Sequence, residues 1–268
     1  AEVKTIETAE LRFGAPVSLG ALGGGRAMAQ VGPSGLAVLN PDQGEASTLP
    51  LVGEPLNFDV DLGSASVVSP DGVVWTIDGP LLRRSTSAGS SETDLDLGDG
   101  AMLTLVGNEP FVVDREHRRA RLGDGGWQAI DTDADPSELV GQVIGPAAAC
   151  GWVAANDDLW CIGRDGVAER STINGLDVDG SDALAIAGDA AVVIRRSPAT
   201  ILQLDWRAER IVDDVTMTVR PDAELNVIAT TDLVWVDDVA GDLVWAVNPW
   251  KVSAVDKNGD DVYVVGED

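Results

Sequence analysis

Ser66-Val-Val-Ser-Pro-Asp-Gly-Val-Val-Trp-Thr-Ile-Asp78 reads as a short apolar strand, a tight Pro-Asp-Gly turn and a second β-rich strand that ends on a polar residue. The phrase recurs as AMAQVGPSGLAVLN at 27–40, MLTLVGNEPFVVD at 102–114, AAACGWVAANDDLWCIG at 147–163, ALAIAGDAAVVIR at 183–195 and LVWVDDVAGDLVWAVN at 233–248. Copies spaced by about 42 residues are the mark of a β-propeller, in which each repeat supplies one blade of four strands. The expected fold is therefore all-β, a β-propeller of six blades, or seven if Arg12 to Leu22 holds a degenerate one. Helical periodicity is not sustained for three turns anywhere, and 30 Gly with 13 Pro punctuate the chain too often for long helices.

Residues 1–255 read as one propeller domain, and 256–268 as an acidic segment that is either the last strand or the start of a linker. Val3 to Glu7 is an isolated strand candidate, expected to pair with the last blade and close the ring. Outer strands are expected at Leu81–Thr86, Trp127–Asp131, Val167–Ile173, Ile201–Trp206 and Val215–Val219, which carry more Arg and Ser than the inner ones. Small residues such as Ala147–Ala149 and Ala183–Ala187 suit the crowded propeller axis.

Asp and Glu number 45 against 18 Lys and Arg, a formal charge of -27. Such a chain repels phosphate backbones and anionic headgroups, so nucleic acid and direct membrane insertion are both disfavoured. No run approaches the roughly 20 apolar residues of a membrane helix. Lysine is confined to Lys4, Lys251 and Lys257, which fits a GC-rich genome or, alternatively, a high-salt habitat. The chain starts at Ala1 without a basic and apolar leader, so a signal peptide or anchor is expected to have been removed or to lie outside it.

Both cysteines fall in the fourth repeat, Cys150-Gly-Trp-Val-Ala-Ala-Asn-Asp-Asp-Leu-Trp-Cys161. With Ala155 and Asn156 at the turn centre, Cys150 faces Cys161 across the hairpin and a disulfide follows. The alternative is two buried free thiols, whereas zinc lacks ligands with only one distant histidine. A disulfide implies an oxidising, extracellular compartment.

Candidate sites are sparse. The eight tryptophans recur at matching places, Trp75, Trp160 and Trp245 among them, as expected of wedges between blades rather than of a glycan platform. Trp250, beside Pro249, stands apart as a candidate partner contact. His117 sits in Arg115-Glu116-His117-Arg118-Arg119 with Arg121 close behind, with no Gly-x-Ser-x-Gly elbow to accompany it. These residues read as an exposed turn and as a cationic island on which an acidic partner docks. Asp256, Asn258, Asp260 and Glu267 fall at positions 1, 3, 5 and 12 of a calcium-loop spacing, but Asp261 stands where the loop wants Gly. Calcium is the one cofactor the spacing admits; otherwise none is expected. Gly20 to Gly25 lacks dinucleotide spacing and reads as a linker. Among 45 acids, a carboxylate pair at glycosidase separation has no specificity.

The cysteine hairpin, with Val234 to Asn248 running into Val255-Asp-Lys-Asn-Gly-Asp-Asp261, resembles the N-terminal propeller-like region of large actinobacterial cell-surface proteins that carry Ig-like or fibronectin type III repeats. The resemblance implies an extracellular, membrane-anchored protein and assigns no catalytic residue. The resulting expectation is a non-enzymatic interaction or spacer module with a protein or glycan partner. The alternative is a carbohydrate-binding or carbohydrate-active propeller that uses axial carboxylates and tryptophans.

Overall fold

A computed structural model describes residues 2–7, 12–18, 28–32, 35–40, 44–50, 56–166, 168–187, 190–220, 223–239, 241, 243–248, 251–256 and 262–265. The chain folds as a β-propeller. Six successive antiparallel sheets are its blades, preceded by a two-stranded hairpin of β1 (Glu2–Glu7) and β2 (Arg12–Ser18). Blade 1 takes β3 (Met28–Gly32), β4 (Gly35–Asn40), β5 (Glu45–Pro50) and β6 (Leu56–Asp59); blade 2 takes β7 (Ala65–Val68), β8 (Val74–Asp78), β9 (Leu81–Thr86) and β10 (Gly89–Asp94). Blade 3 has β11 (Met102–Val106), β12 (Glu109–Asp114), β13 (Arg119–Leu122) and β14 (Gln128–Ala129); blade 4 has β15 (Val140–Gly141), β16 (Cys150–Ala155), β17 (Asp158–Gly163) and β18 (Ala168–Thr172). Blade 5 runs through β19 (Ala183–Ala187), β20 (Ala190–Arg196), β21 (Ala199–Asp205) and β22 (Arg210–Thr216). Blade 6 has β23 (Leu225–Ala229), β24 (Val234–Asp238), β25 (Leu243–Asn248), β26 (Lys251–Asp256) and a fifth strand, β27 (Val262–Val265).

Each blade is a meander, so its first strand stands innermost and later ones step outward. The first strands of neighbouring blades touch, β7 with β11 and β19 with both β15 and β23. Backbone hydrogen bonds stitch them near the axis: Gly107 N–H donates to the Gly145 carbonyl at 2.9 Å, and Val143 N–H to Leu184 at 2.7 Å.

The core lies between blades. One cluster joins Trp152, Leu159 and Ile173 of blade 4 to Leu184, Val193 and Leu202 of blade 5. Another joins Ile194 and Ile201 to Val236 and Trp245 across blades 5 and 6. Trp152 also meets Trp206 of blade 5 edge to face, with centroids 4.9 Å apart, a geometry the ring quadrupoles favour.

Four local expectations are corrected. Val3 to Glu7 lies in β1 and pairs with β2, not with the last blade, whose outer side β27 already covers. Arg12 to Ser18 forms the other half of that hairpin, not a four-stranded seventh blade. Ala147–Ala149 are an exposed loop leading into β16, while Ala183–Ala187 does form an innermost strand, β19. The expected outer strand at Val215–Val219 is displaced towards the N-terminus, to Arg210–Thr216.

Cys150 and Cys161 form the disulfide, with Cα atoms 5.5 Å apart. They are diagonal rather than directly opposed, because the turn is centred one residue later than expected. Asn156 takes the left-handed conformation (φ 51°), Ala155 pairs with Asp158, and Trp152 therefore faces Cys161. The bond indicates an oxidising environment. Closing so short a loop is worth about 3 kcal/mol. The Cys150→Ala/Cys161→Ala variant should therefore lose about that much in urea unfolding. A loss below about 0.5 kcal/mol would show that the hairpin is held by packing alone.

Candidate functional site

Asp114 ends β12 and is fully buried, an unusual position for a carboxylate without partners. Its partners come from the next five residues. The chain turns back through 115–118, with Arg118 N–H donating to the Arg115 carbonyl at 3.2 Å and Arg118 itself in the left-handed region (φ 46°). That turn brings His117 Nδ1 to 2.8 Å from Asp114 Oδ2 and the His117 backbone N–H to 3.3 Å from Oδ1. Arg119, the first residue of β13, donates from Nε to the same Oδ2 at 2.9 Å. Its guanidinium carbon stacks 4.4 Å from the Trp127 ring centroid.

Burial pushes the Asp114 carboxyl up, but the His117 and Arg119 donors outweigh it and hold the group below the ordinary carboxylate value. An ionised carboxylate only accepts, so Nδ1 carries the proton in that bond and Nε2 is the free ring nitrogen. The His117 side chain is 44% exposed, while its partner has no exposure at all.

The turn sits on the propeller face that carries the connectors between blades. Arg119 Nη2 reaches the carbonyls of Leu95 and Asp96, between blades 2 and 3. Arg118 Nη2 donates to the Ala134 carbonyl at 3.0 Å, between blades 3 and 4. Glu116 turns the other way and accepts the Asp99 N–H at 2.6 Å. Arg121 donates from Nε to the Gly123 carbonyl at 3.0 Å.

The side chains of the Arg115 to Arg121 stretch are heterogeneous in what they do. Arg118, Arg119 and Arg121 are engaged by the fold, and His117 presents itself to solvent. Arg115 is half-buried, with a shielded Nε that has no hydrogen-bond partner; burial alone pushes its guanidinium down. Asp114 is the residue the sequence reading missed. Its signal was Asp-Arg-Glu-His, an acid three residues before the histidine at the end of an apolar strand.

The tryptophans are mainly wedges: Trp152, Trp160, Trp235 and Trp245 are buried, and Arg84 and Arg170 stack on Trp75 and Trp160 from the adjacent strands. Trp250, Gly20–Gly25, Asn258, Asp260, Glu267 and the side chain of Asp256 lie outside the described residues. Among the described residues no three His, Cys, Asp or Glu side chains gather in a way that could hold a metal ion, and no helix is long and apolar enough to cross a membrane. The Asp131–Asp135 turn has a local use, since Asp135 caps the 3-10 turn Pro136–Glu138 by accepting Ser137 N–H at 2.9 Å.

No protein-family model matches the chain, and no curated protein matches it in sequence. Solved structures do match. A catalytically inactive histidine-to-alanine variant of virginiamycin B lyase from Staphylococcus aureus, crystallised with quinupristin, is similar with TM-score 0.62 and 16% identity, over 88% of this chain and 84% of that one. Hsv2 from Kluyveromyces lactis is similar with TM-score 0.64 and 8% identity, over 99% and 92%. A streptogramin B lyase structure is similar with TM-score 0.54 and 14% identity, over 91% and 88%. At such identities the likeness shows the fold alone. It nevertheless corrects the expectation of a non-enzymatic interaction or spacer module: enzymes share this architecture, so the fold gives no ground for excluding catalysis. What the comparisons establish is a β-propeller; an actinobacterial surface origin and following Ig-like or fibronectin type III repeats find no counterpart in them.

Proposed function

We propose that this chain is an extracellular enzyme of the proton-transfer class, acting on a small organic molecule at the connector face with His117 as the general base. The observation that carries the reading is the His117–Asp114 pair, an exposed imidazole oriented at 2.8 Å by a fully buried carboxylate. In this arrangement the Nε2 lone pair takes a proton from a bound ligand or water. The imidazolium so formed is stabilised by Asp114, which stays ionised. Virginiamycin B lyase, which is catalytically inactive with one histidine changed to alanine, is a precedent for histidine-dependent chemistry on this fold. The disulfide supports the extracellular setting. Anchoring through a segment outside this chain, as the resemblance to surface proteins implies, belongs to the same reading.

His117 is the single histidine, which makes the test direct. Hydrolysis of p-nitrophenyl acetate, an acyl probe that neutral imidazole assists, should saturate with substrate. It should fall about 10²-fold in the His117→Gln variant. An unchanged rate in that variant, or a wild-type rate no greater than that of free imidazole at equal concentration, overturns the reading.

A further inference from the structure

The two-stranded sheet is the anomaly of this fold. Every other sheet has four or five strands, whereas β1 and β2 pair only with each other. Among the described residues the hairpin makes no extended contact with any blade strand. A lone two-stranded hairpin is marginal in water, and a sheet holds once three or more strands join it. The hairpin therefore calls for further strands, and its two edges differ in what they can accept.

β2 is a blunted edge. Gly14 and Ala15 both stand opposite Thr5, a bulge between the Lys4–Pro16 and Ile6–Phe13 pairs. Pro16 also has no N–H to give a neighbouring strand. β1 carries neither device. Its six residues, Glu2–Glu7, run without proline, glycine or an inserted residue. Alternate residues of such a strand turn an N–H and a C=O outward, and a regular edge of that kind is a template for another strand.

We propose that β1 is a self-association edge, on which β1 of a second copy pairs antiparallel about a two-fold axis. The product is a four-stranded sheet, β2–β1–β1–β2, with as many strands as an ordinary blade. Charge complementarity selects a second copy as the occupant. Glu-Val-Lys-Thr-Ile-Glu holds both signs of charge, and Lys4 is one of only three lysines in the chain. Antiparallel pairing along the full strand would set Glu2 against Glu7 of the second copy, two like charges. Sliding one strand by two residues instead sets Lys4 against Glu7 at both ends of the contact, with Thr5 and Ile6 opposed between them. A parallel pair in register would oppose Lys4 to Lys4. β10, an outermost strand of six residues, has no such complement: Glu92 and Asp94 stand on it without a cation, so two copies of that edge repel. The formal charge of -27 opposes association of whole molecules at a distance. At physiological ionic strength that repulsion is screened beyond about 8 Å, while charges paired across adjacent strands still attract.

Sedimentation equilibrium at about 0.15 M ionic strength tests the proposal. The wild type should pass from monomer towards dimer as its concentration rises from about 1 µM to about 1 mM, the range of a small interface. Lys4→Glu and Glu7→Lys each place like charges at both ends of the contact, and each should weaken dimerisation about tenfold or more. Mixed in equal amounts, these two variants oppose unlike charges again and should associate about as well as the wild type. The double variant Lys4→Glu/Glu7→Lys should likewise dimerise. Loss of fold cannot imitate this pattern, because two misfolded proteins do not restore each other. A wild type that stays monomeric at the highest concentration, as it would if another segment of the chain or a foreign peptide covered β1, overturns the proposal. So does a dimer that neither substitution weakens, or a mixture no more associated than its components.

Discussion

Phe111→Ala is expected to lower the unfolding free energy by about 3–5 kcal/mol, measured as a fall in the urea midpoint at unchanged slope. Phe111 has no exposed surface, stands on β12 and packs with Val153, Ala155, Trp160 and Ile162 of the next blade. Its ring lies so close to Gly151 that a Cβ there would sit 2.5 Å from the Phe111 Cδ2 atom. The absence of a side chain at Gly151 is thus what lets the two blades close over the ring. Gly151→Ala alone should cost about 1–3 kcal/mol through overpacking, and in the Phe111→Ala background the same methyl should fill part of the cavity and cost close to nothing. Additive effects in that cycle would show that the two residues do not share one packing site.

Asp114→Ala should cost about 3 kcal/mol at neutral pH, since it removes the acceptor of three hydrogen bonds and leaves the partly buried Arg119 uncompensated. The pH dependence gives this variant a signature that mere cavity formation lacks. The folded chain holds the Asp114 proton more weakly than the unfolded chain, whose carboxyl titrates near the ordinary value of 3.8. Its contribution is therefore complete above that value and is lost as the pH falls through the lower folded pKa. The stability difference between wild type and Asp114→Ala should be flat from pH 7 to about 5 and shrink towards pH 3. A difference that stays constant into acid would assign the loss to packing instead.

The blades were legible because apolar strands and Gly, Asn and Asp turns recur, yet the phase of the repeat was not uniform. In blades 1, 2, 3 and 5 the recurring phrase covers the first and second strands, whereas in blades 4 and 6 it covers the second and third. The cause is local. The first strand of blade 4 is only Val140–Gly141, too short to print an apolar run, so Cys150–Ala155 looked like the inner strand. In blade 6 the inner strand β23 exposes Asn226 and Ile228 and reads as polar alternation, so the more apolar β24 took its place. That shift of phase is why the sequence alone points to the axis for Ala147–Ala149, which lie in the loop before β16. The cysteine pair was legible, but its register was not, because the turn centre depends on which residue accepts a left-handed backbone and Asn156 does so. At the candidate site His117 was visible as the single histidine. The carboxylate that orients it closes an apolar strand, where an Asp reads merely as the strand's polar end.

The apolar clusters straddle neighbouring blades, and this sets the size of the smallest piece that can come loose. Pulling blade 4 away exposes its own faces together with those of blades 3 and 5, so blades 3 to 5 must open together or not at all. The propeller behaves in this stretch less like a row of separable modules than like an arch, in which no stone leaves without its neighbours. Backbone amides of β12, β16 and β20 should accordingly exchange with solvent as one group, protected by one shared opening free energy despite belonging to three different sheets.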